Sequence, residues 1–335
     1  MRIFILMYLT CIAAFGQWEA KNGIAYHKAD SIAAIHHGMS LDNLPLLAFR
    51  LTKDLPTEHE KFRAIFTWVS TNIANDYDAF TKTKHRRQKL RKKPLAFEQW
   101  NRKYLPTMFK NLLKKKKTAC SGYAYLIREL SSLSGLDCRI VDGYGRTAHT
   151  TLNEQSVANH SWNAVDLEGN WYLCDATWSA GSIRFEKESI SFKPDFNDIY
   201  FLPDPKLFIK NHYPIEPRWT LLEEPPSFKT FITGPIIYRS AFKNRLNPTY
   251  PATMDVALKV DQPLEFTIEQ LDNPADRPMR FVINKNGKTT EIDPIHYRNG
   301  DTIHLRHSFK KRGQYDLHIF SGNQAISTYV VKVVR

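Results

Sequence analysis

Cysteine is scarce in this sequence, with four residues among 335. No two of them stand in the C-x-x-C spacing of structural zinc sites, so a zinc site is disfavoured, and no metal or organic cofactor is expected. Cys11 falls in an N-terminal apolar segment, which leaves Cys120, Cys138 and Cys174, an odd number. A disulfide between Cys138 and Cys174 stays open, although two buried core cysteines are the favoured interpretation.

The sequence also lacks an apolar run long enough to cross a membrane. Its longest candidate, residues 3–15, is interrupted by Thr10 and falls short of the roughly 20 residues that a transmembrane helix needs. Arg2 before this run and small residues at its end predict a cleaved signal peptide over residues 1–16, and hence a periplasmic or secreted protein. An uncleaved anchor is the alternative, and Thr10 disfavours a lipoprotein anchored at Cys11.

Acidic residues are outnumbered, because 34 Asp and Glu stand against 47 Lys and Arg, a net charge of +13. The excess is concentrated in residues 82–93, which are predicted as an exposed loop, and in residues 114–117. A nucleic-acid partner is disfavoured because no binding motif accompanies the charge. Anionic envelope polymers or a lipid surface are better partners for this basic loop, beside the alternative that it is only solvated.

What the sequence does contain is ample material for a folded core, with 42% hydrophobic and 13% aromatic residues. Helices are predicted over residues 19–37, 41–52, 57–74 and 95–113, the last broken at Pro106. The third of them has the clearest signals, because Thr57 is a suitable cap with Glu60 three residues later and an apolar stripe follows.

A candidate nucleophile, Cys120, stands where a further helix is predicted to begin. Apolar residues recur at a spacing of three from Ala124 to Leu133, and Gly135 follows as a stop signal. The free N–H groups and partial positive charge of a helix start favour the thiolate form of a cysteine. Gly122 is expected to leave room for the backbone of a substrate.

His160 and Asp175 are the candidate partners of this thiolate. Strands are predicted over residues 138–144, 160–166 and 171–177. The second and third form a hairpin that turns near Gly169 and places Asp175 opposite or diagonal to His160. There the carboxylate can orient one imidazole nitrogen while the other faces the sulfur. His149 lies in a polar loop without a carboxylate partner and is disfavoured as the base.

Four ordered segments carry a family likeness: residues 118–124 (TACSGYA), 135–144 (GLDCRIVDGY), 160–165 (HSWNAV) and 171–178 (WYLCDATW). Together they resemble the transglutaminase-like superfamily, and within it the branch of the kyphoscoliosis peptidase and the fungal cytokinesis proteins. The likeness extends downstream to residues 212–214 (HYP). It implies a papain-like core in which Cys120 attacks an amide of a protein or peptide, His160 moves the proton and Asp175 orients His160.

The C-terminal half contains two segments of different composition. Nine of the 18 prolines lie in residues 203–251, so residues 203–253 are predicted as a linker or wrap. Residues 254–335 alternate like strands separated by Gly-containing turns, which predicts a small antiparallel β-sandwich. The predicted fold class is therefore α+β, with a papain-like transglutaminase core over residues 17–202 and a C-terminal immunoglobulin-like β-sandwich.

Two functions follow from these patterns. The first is an exported thiol enzyme, a peptidase, amidase or acyl transferase, with water or an amine as the second substrate. The alternative is a catalytically weak or inactive envelope protein that binds partners through the β-sandwich and the basic loop. The three candidate residues Cys120, His160 and Asp175 favour the enzyme.

Overall fold

The computed structural model describes residues 26–186, 189–272 and 277–335, so the predicted signal peptide lies outside the described residues. The α-helices in these ranges are α1 (His27–Ile35), α2 (Leu44–Thr52), α3 (Glu58–Asn72), α4 (Tyr77–Lys89), α5 (Pro94–Lys115), α6 (Cys120–Leu133), α7 (Ala176–Ala180), α8 (Pro205–Phe208), α9 (Phe228–Thr233) and α10 (Arg239–Lys243). Over the same ranges, none of these helices has both the length and the apolar character needed to span a membrane.

Helix α3 begins as the sequence predicts. The Thr57 hydroxyl accepts a hydrogen bond from the Glu60 backbone N–H, while the Glu60 carboxylate accepts one from the Thr57 N–H. Phe62, Phe66 and Trp68 are fully buried in the cluster that α3 forms with α1, α2 and α6. The capping box and the apolar stripe therefore fix the central helix of the N-terminal half.

The basic stretch 82–93, predicted as an exposed loop, is mostly helical, so that prediction is wrong. Helix α4 extends to Lys89, and the Asp76 side chain caps it by accepting from the Ala79 N–H. The helix packs against α5 through cations placed over aromatic rings, with Lys82 Nζ 4.7 Å from the ring centroid of Tyr104. The sequence does not reveal this helix because it lacks the apolar stripe that marks a packed helix, and Ala79 is its only buried residue.

Helix α5 also continues through Pro106, where the sequence predicts a break. Proline removes the N–H that would bond to the Arg102 carbonyl. Both Pro106 and Arg102 lie on the exposed side of the helix, where water can satisfy that carbonyl. The helix therefore tolerates the residue that the pattern treats as a terminator.

The N-terminal half contains the strands β1 (Ala74–Asn75), β2 (Lys117–Thr118), β3 (Cys138–Gly145), β4 (His160–Leu167), β5 (Asn170–Cys174), β6 (Gly181–Phe185), β7 (Ile190–Pro194) and β8 (His212–Pro214). Four of them form an antiparallel sheet in the order β5-β4-β3-β8. Helix α6 packs on β4 and β3, with the Asn163 amide of β4 donating to the Ala124 carbonyl of α6 at 2.9 Å. The N-terminus of α6 thus lies near the end of the sheet at which the central strand β4 begins.

Residues 203–253, predicted as a proline-rich linker or wrap, contain α8, α9 and α10, a turn of 3-10 helix (Pro217–Thr220) and three short strands. Strand β8 joins the core sheet beside β3. The other two, β9 (Ile236–Ile237) and β10 (Leu246–Tyr250), pair with strands of the C-terminal sheets. This segment therefore ties the two halves of the chain together.

The C-terminal strands are β11 (Asp255–Lys259), β12 (Pro263–Gln270), β13 (Met279–Lys285), β14 (Lys288–Ile292), β15 (Ile295–Asn299), β16 (Thr302–Ser308), β17 (Gly313–Ser321) and β18 (Gln324–Val334). One sheet has the order β10-β12-β16-β15, and the other has β11-β18-β17-β13-β14 with β9 added on β18. Their buried faces meet in rings such as Phe266, Phe281 and Tyr329. The α+β class and the C-terminal β-sandwich are confirmed, although β11 pairs with β18 in parallel.

Candidate active site

Cys120 is the first residue of α6, at the position the sequence predicts. It follows the extended residue Ala119, and only 8% of its surface is exposed. Burial opposes ionisation of the thiol, but the hydrogen bond and charge of His160, the charge of Arg87 and the Ser161 backbone N–H together hold the Cys120 pKa below its ordinary value. The site therefore favours a thiolate.

His160 is the first residue of β4, where it pairs with Gly143 of β3. Its Nε2 lies 2.7 Å from Asp175 Oδ2, which leaves Nδ1 as the nitrogen for Cys120. Burial alone would lower the pKa of the imidazole, but the charge and hydrogen bond of Asp175 and those of Cys120 raise it to about 10. His160 is therefore protonated when the thiol is ionised, as an ion pair between sulfur and imidazolium requires.

Asp175 follows the last residue of β5 and is the N-cap of α7. Because Cys174 pairs with Asn163, Asp175 comes opposite Trp162 and so lies diagonal to His160, as predicted for the hairpin. Oδ1 accepts from the backbone N–H groups of Thr177 at 2.8 Å and Trp178 at 3.2 Å. Although the carboxylate is buried, the hydrogen bonds and positive charge around it hold the Asp175 pKa below its usual range.

His212, on β8, is a fourth member of the site that the reasoning on catalytic residues missed. Its Nε2 lies 3.0 Å from the same Asp175 Oδ2, and its ring is fully buried. Burial outweighs the attraction of Asp175 and lowers the His212 pKa to about 4, so this ring is neutral at pH 7. The signal was available in the HYP segment of the family likeness, but His212 lies 37 positions after Asp175, and the sequence gave no geometric reason to pair them.

The buried His212 predicts how stability depends on pH. In the unfolded chain this imidazole is protonated below about pH 6.5, whereas in the folded protein it is protonated only below about pH 4. The free energy of unfolding therefore falls as the pH drops from about 6.5 to about 4. The expected loss is about 3 kcal/mol. His160 adds little to this loss, because below about pH 6.5 its imidazole is protonated in both the folded and the unfolded chain, and the Asp175 contribution is lost only below its ordinary pKa of 3.8.

Urea unfolding between pH 4 and pH 7 checks this window. His212→Gln is the matched control, because glutamine keeps an N–H donor for Asp175 but does not titrate. Its unfolding free energy is expected to vary less over this range. A wild-type pH dependence that persists unchanged in His212→Gln would assign it to other groups.

The same three side chains have the spacing of metal ligands. One ligand atom from each of His160, Asp175 and His212 lies within 4.8 Å of the others. Both imidazoles already make hydrogen bonds of ordinary length to one carboxylate oxygen. We therefore interpret the group as a proton network that orients His160 toward Cys120.

Beside Cys120 lies a cavity of about 220 Å³, reached between α5, α6 and the start of β4. Its lining includes Thr118, Ser121 and Gly122, which flank Cys120 in the sequence, and Ser161, which follows His160. The reason expected for Gly122 needs correction, because a Cβ there would lie 2.0 Å from Thr118 Oγ1. The glycine is required by the packing of the buried Thr118 side chain, independently of any substrate.

The remaining cysteines are free and buried. Cys138 on β3 and Cys174 on β5 are separated by β4, so their backbones stand about 9.6 Å apart, beyond the roughly 7 Å that a disulfide allows. Burial raises the pKa of Cys138 to about 12 and that of Cys174 well above its ordinary value. The favoured interpretation of two core cysteines holds, and His149 is an exposed loop residue as expected.

Residues 46–176 match the family model of the transglutaminase-like superfamily, a range that includes Cys120, His160 and Asp175 but not His212. Kyphoscoliosis peptidase of Homo sapiens is 31% identical over 241 residues, which cover 71% of this chain and 32% of that protein. Hillarin of Drosophila melanogaster is 28% identical over 197 residues, which cover 56% of this chain and 21% of that protein. The chain thus spans a third or less of the length of these relatives.

A solved structure described as a crystal structure of a TGase is also similar. It is 17% identical, with a TM-score of 0.27, over 45% of this chain and 32% of that chain.

Proposed function

We propose that this chain, which belongs to the transglutaminase-like superfamily, is a thiol enzyme that acts on protein or peptide amides. The observation that carries the proposal is the buried chain of hydrogen bonds that runs from the Cys120 thiol, at the start of α6, through His160 to Asp175. Charges of this kind are costly to bury unless each is paired, and here each has a partner. A site organised in this way supplies a nucleophile and a proton donor in one place.

The reaction begins when the Cys120 thiolate attacks the amide carbonyl carbon and forms a C–S bond. The oxygen takes up the electron pair, and we assign its stabilisation to the backbone N–H of Cys120, the first residue of α6. The C–N bond then breaks as His160 gives its proton to the departing amine or ammonia, which leaves a thioester. Asp175 keeps Nδ1 of His160 directed at the reacting atoms throughout.

Water or an amine completes the cycle. His160, now neutral, takes a proton from the incoming nucleophile, which attacks the thioester and releases the Cys120 thiolate. Hydrolysis and transfer share the thioester, so both belong to the proposal, and we take peptide or amide hydrolysis as the first reaction to test. Export through residues 1–16 is part of the same proposal and rests on the pattern of the sequence.

Selective labelling tests the nucleophile. Iodoacetamide at pH 6–7 is expected to modify Cys120 at least about 100-fold faster than Cys138 or Cys174 in the folded protein, because the pKa of Cys120 is lowered whereas burial raises the pKa of the other two. Mass spectrometry of the peptides measures the three rates. Cys120→Ala is the control for the site, and urea-unfolded protein is the control for the reagent. Equal slow labelling of all three cysteines in the folded protein would contradict an activated thiol.

A further inference from the structure

Positive charge in this protein is concentrated in one structural unit. Residues 76–117, which comprise α4, α5 and their flanks and are called the basic hairpin below, contain fifteen Lys or Arg residues and three acidic residues. The unit therefore carries a net charge of +12, out of +13 for the whole chain. The other 293 residues carry a net charge of +1, so the net positive charge of the protein comes almost entirely from this unit.

Little of this charge is neutralised within the hairpin. Among the described residues, its ion pairs are Arg102 with Glu98 at 2.5 Å and Lys117 with Asp76 at 3.7 Å. Three cations of α4 are instead held over rings of α5: Lys82 over Tyr104, Arg86 over Trp100 and Arg87 over Phe97. An aromatic ring fixes a cation in place without cancelling its charge, so these side chains remain available to an anionic partner.

The hairpin also lies beside the nucleophile. Thr83 and Arg87 of α4, with Met108, Phe109 and Leu112 of α5, line the cavity that adjoins Cys120. Arg87 donates to the Ala158 carbonyl at 3.0 Å, two residues before His160. The charged unit therefore lines a cavity whose wall also includes Ser121, the residue after Cys120, and the charge of Arg87 acts on the Cys120 thiol.

The cavity itself is more apolar than its charged surroundings. The side chains of Met108, Phe109, Leu112, Tyr125 and Ile140 contribute apolar or aromatic surface to it. Its volume of about 220 Å³ is large enough to accept an apolar side chain. A ligand that satisfied both features would be a flexible chain with an apolar residue at one point and negative charge around it.

We propose that the basic hairpin recruits acidic segments of polypeptide substrates, and that the cavity receives an apolar side chain next to the reacting amide. This inference rests on the proposed function, because it names the substrate class of the Cys120 site. An acidic polypeptide fits better than a phospholipid surface, which supplies charge but no amide carbonyl for the adjoining thiol. Long-range attraction by the hairpin raises the rate of encounter, and the cavity fixes the register.

Matched synthetic peptides test the inference. Each contains a central Leu-Gln pair, flanked by four Glu, four Ser or four Lys residues. Acylation of Cys120 and release of product are followed by mass spectrometry, and binding to the Cys120→Ala protein is followed by fluorescence anisotropy. The Glu-flanked peptide is expected to show kcat/KM and affinity at least about 10-fold above the Ser-flanked peptide at low ionic strength, and the difference should largely disappear near 0.5 M salt.

Charge reversal locates the effect. The hairpin variant replaces the exposed residues Lys84, Lys89, Lys92 and Lys93 by Glu. The matched control makes the same change in charge on the β-sandwich, at the exposed residues Lys259, Lys288, Lys311 and Lys332. The hairpin variant is expected to lose the preference for the Glu-flanked peptide, whereas the control keeps it. Cooperative unfolding of both variants verifies that they are folded.

The outcomes separate this inference from the proposed function. If the peptides acylate Cys120 but the Glu and Ser flanks give equal rates and affinities, the inference is overturned and the thiol chemistry stands. If no peptide acylates Cys120 while the Glu-flanked peptide still binds in a hairpin-dependent way, recruitment of acidic segments is supported and the chemistry fails. If the hairpin binds vesicles of phosphatidylglycerol and phosphatidylcholine but none of the peptides, its partner is a membrane surface and the inference is overturned.

Discussion

Replacing Asp175 by Asn is expected to lower the turnover of a peptide or glutamine amide by roughly 10⁴-fold while most of the folding stability remains, as for orienting carboxylates of other triads. Asparagine keeps an oxygen that can accept from the N–H groups of Thr177 and Trp178, so the cap of α7 survives. Its other side-chain atom becomes an NH₂ group facing His160 Nε2 and His212 Nε2. Because an N–H cannot accept a hydrogen bond, His160 loses the partner that fixes its tautomer and stabilises its charge.

Asp175→Ala is the informative comparison. The sequence suggests a polar residue that can be removed without disturbing the core, but the structure gives it four acceptor contacts in a fully buried position. Alanine removes the helix cap, worth about 1 kcal/mol, and leaves two imidazole donors without a partner, at about 1–3 kcal/mol each. In Asp175→Asn the cap remains and the NH₂ group can donate to an imidazole nitrogen in the other tautomer, so this variant is expected to lose mainly turnover, whereas Asp175→Ala loses both turnover and stability.

Turnover and urea unfolding of both variants, each alone and combined with Cys120→Ala, measure these effects. Residues of one catalytic unit are strongly non-additive, so adding either change to Cys120→Ala should reduce residual turnover little further. Turnover within tenfold of wild type in folded Asp175→Asn would leave at most a dyad of Cys120 and His160.

The parts that the sequence predicts well are those set by local rules. Thr57 and Glu60 indicate the start of α3 because a capping box involves only residues that are close in the sequence. Cys120 at the start of α6, and Asp175 diagonal to His160, follow from a single helix and a single hairpin. In each case the interacting residues belong to one element or to a pair of elements adjacent in sequence.

The parts that the sequence does not predict depend on distant partners. The helical state of α4 depends on the rings of α5, and the stripe that would reveal it is cationic rather than apolar. The place of His212 depends on β8 joining the far side of β3 after a long excursion of the chain. Composition marks that excursion as proline-rich but gives no information about which strand it will join.

Gly143 shows how closely the sheet must pack to bring His212 into the site. It lies on β3 between His160 of β4 and Pro214 of β8. A Cβ at this position would lie 2.2 Å from the Tyr213 carbonyl oxygen and 2.5 Å from the Trp162 ring, well inside van der Waals contact. The backbone of β8 therefore occupies the space in which a side chain at position 143 would lie.

Gly143→Ala is expected to destabilise the protein by about 3 kcal/mol, because the new methyl group meets backbone atoms that can move only if β8 shifts. Such a shift would carry His212 away from Asp175, so turnover per folded molecule should fall as well.

The control is Gly234→Ala. The backbone φ of Gly234 is −64°, which suits alanine, and the nearest neighbour of an added Cβ, the Thr230 carbonyl oxygen, would lie 3.2 Å away. That variant is expected to cost about 1 kcal/mol or less, the ordinary range for a tolerated substitution. Urea unfolding of the two variants compares them directly, and equal stability would contradict the tight packing of β8 against β3 that is inferred from Gly143.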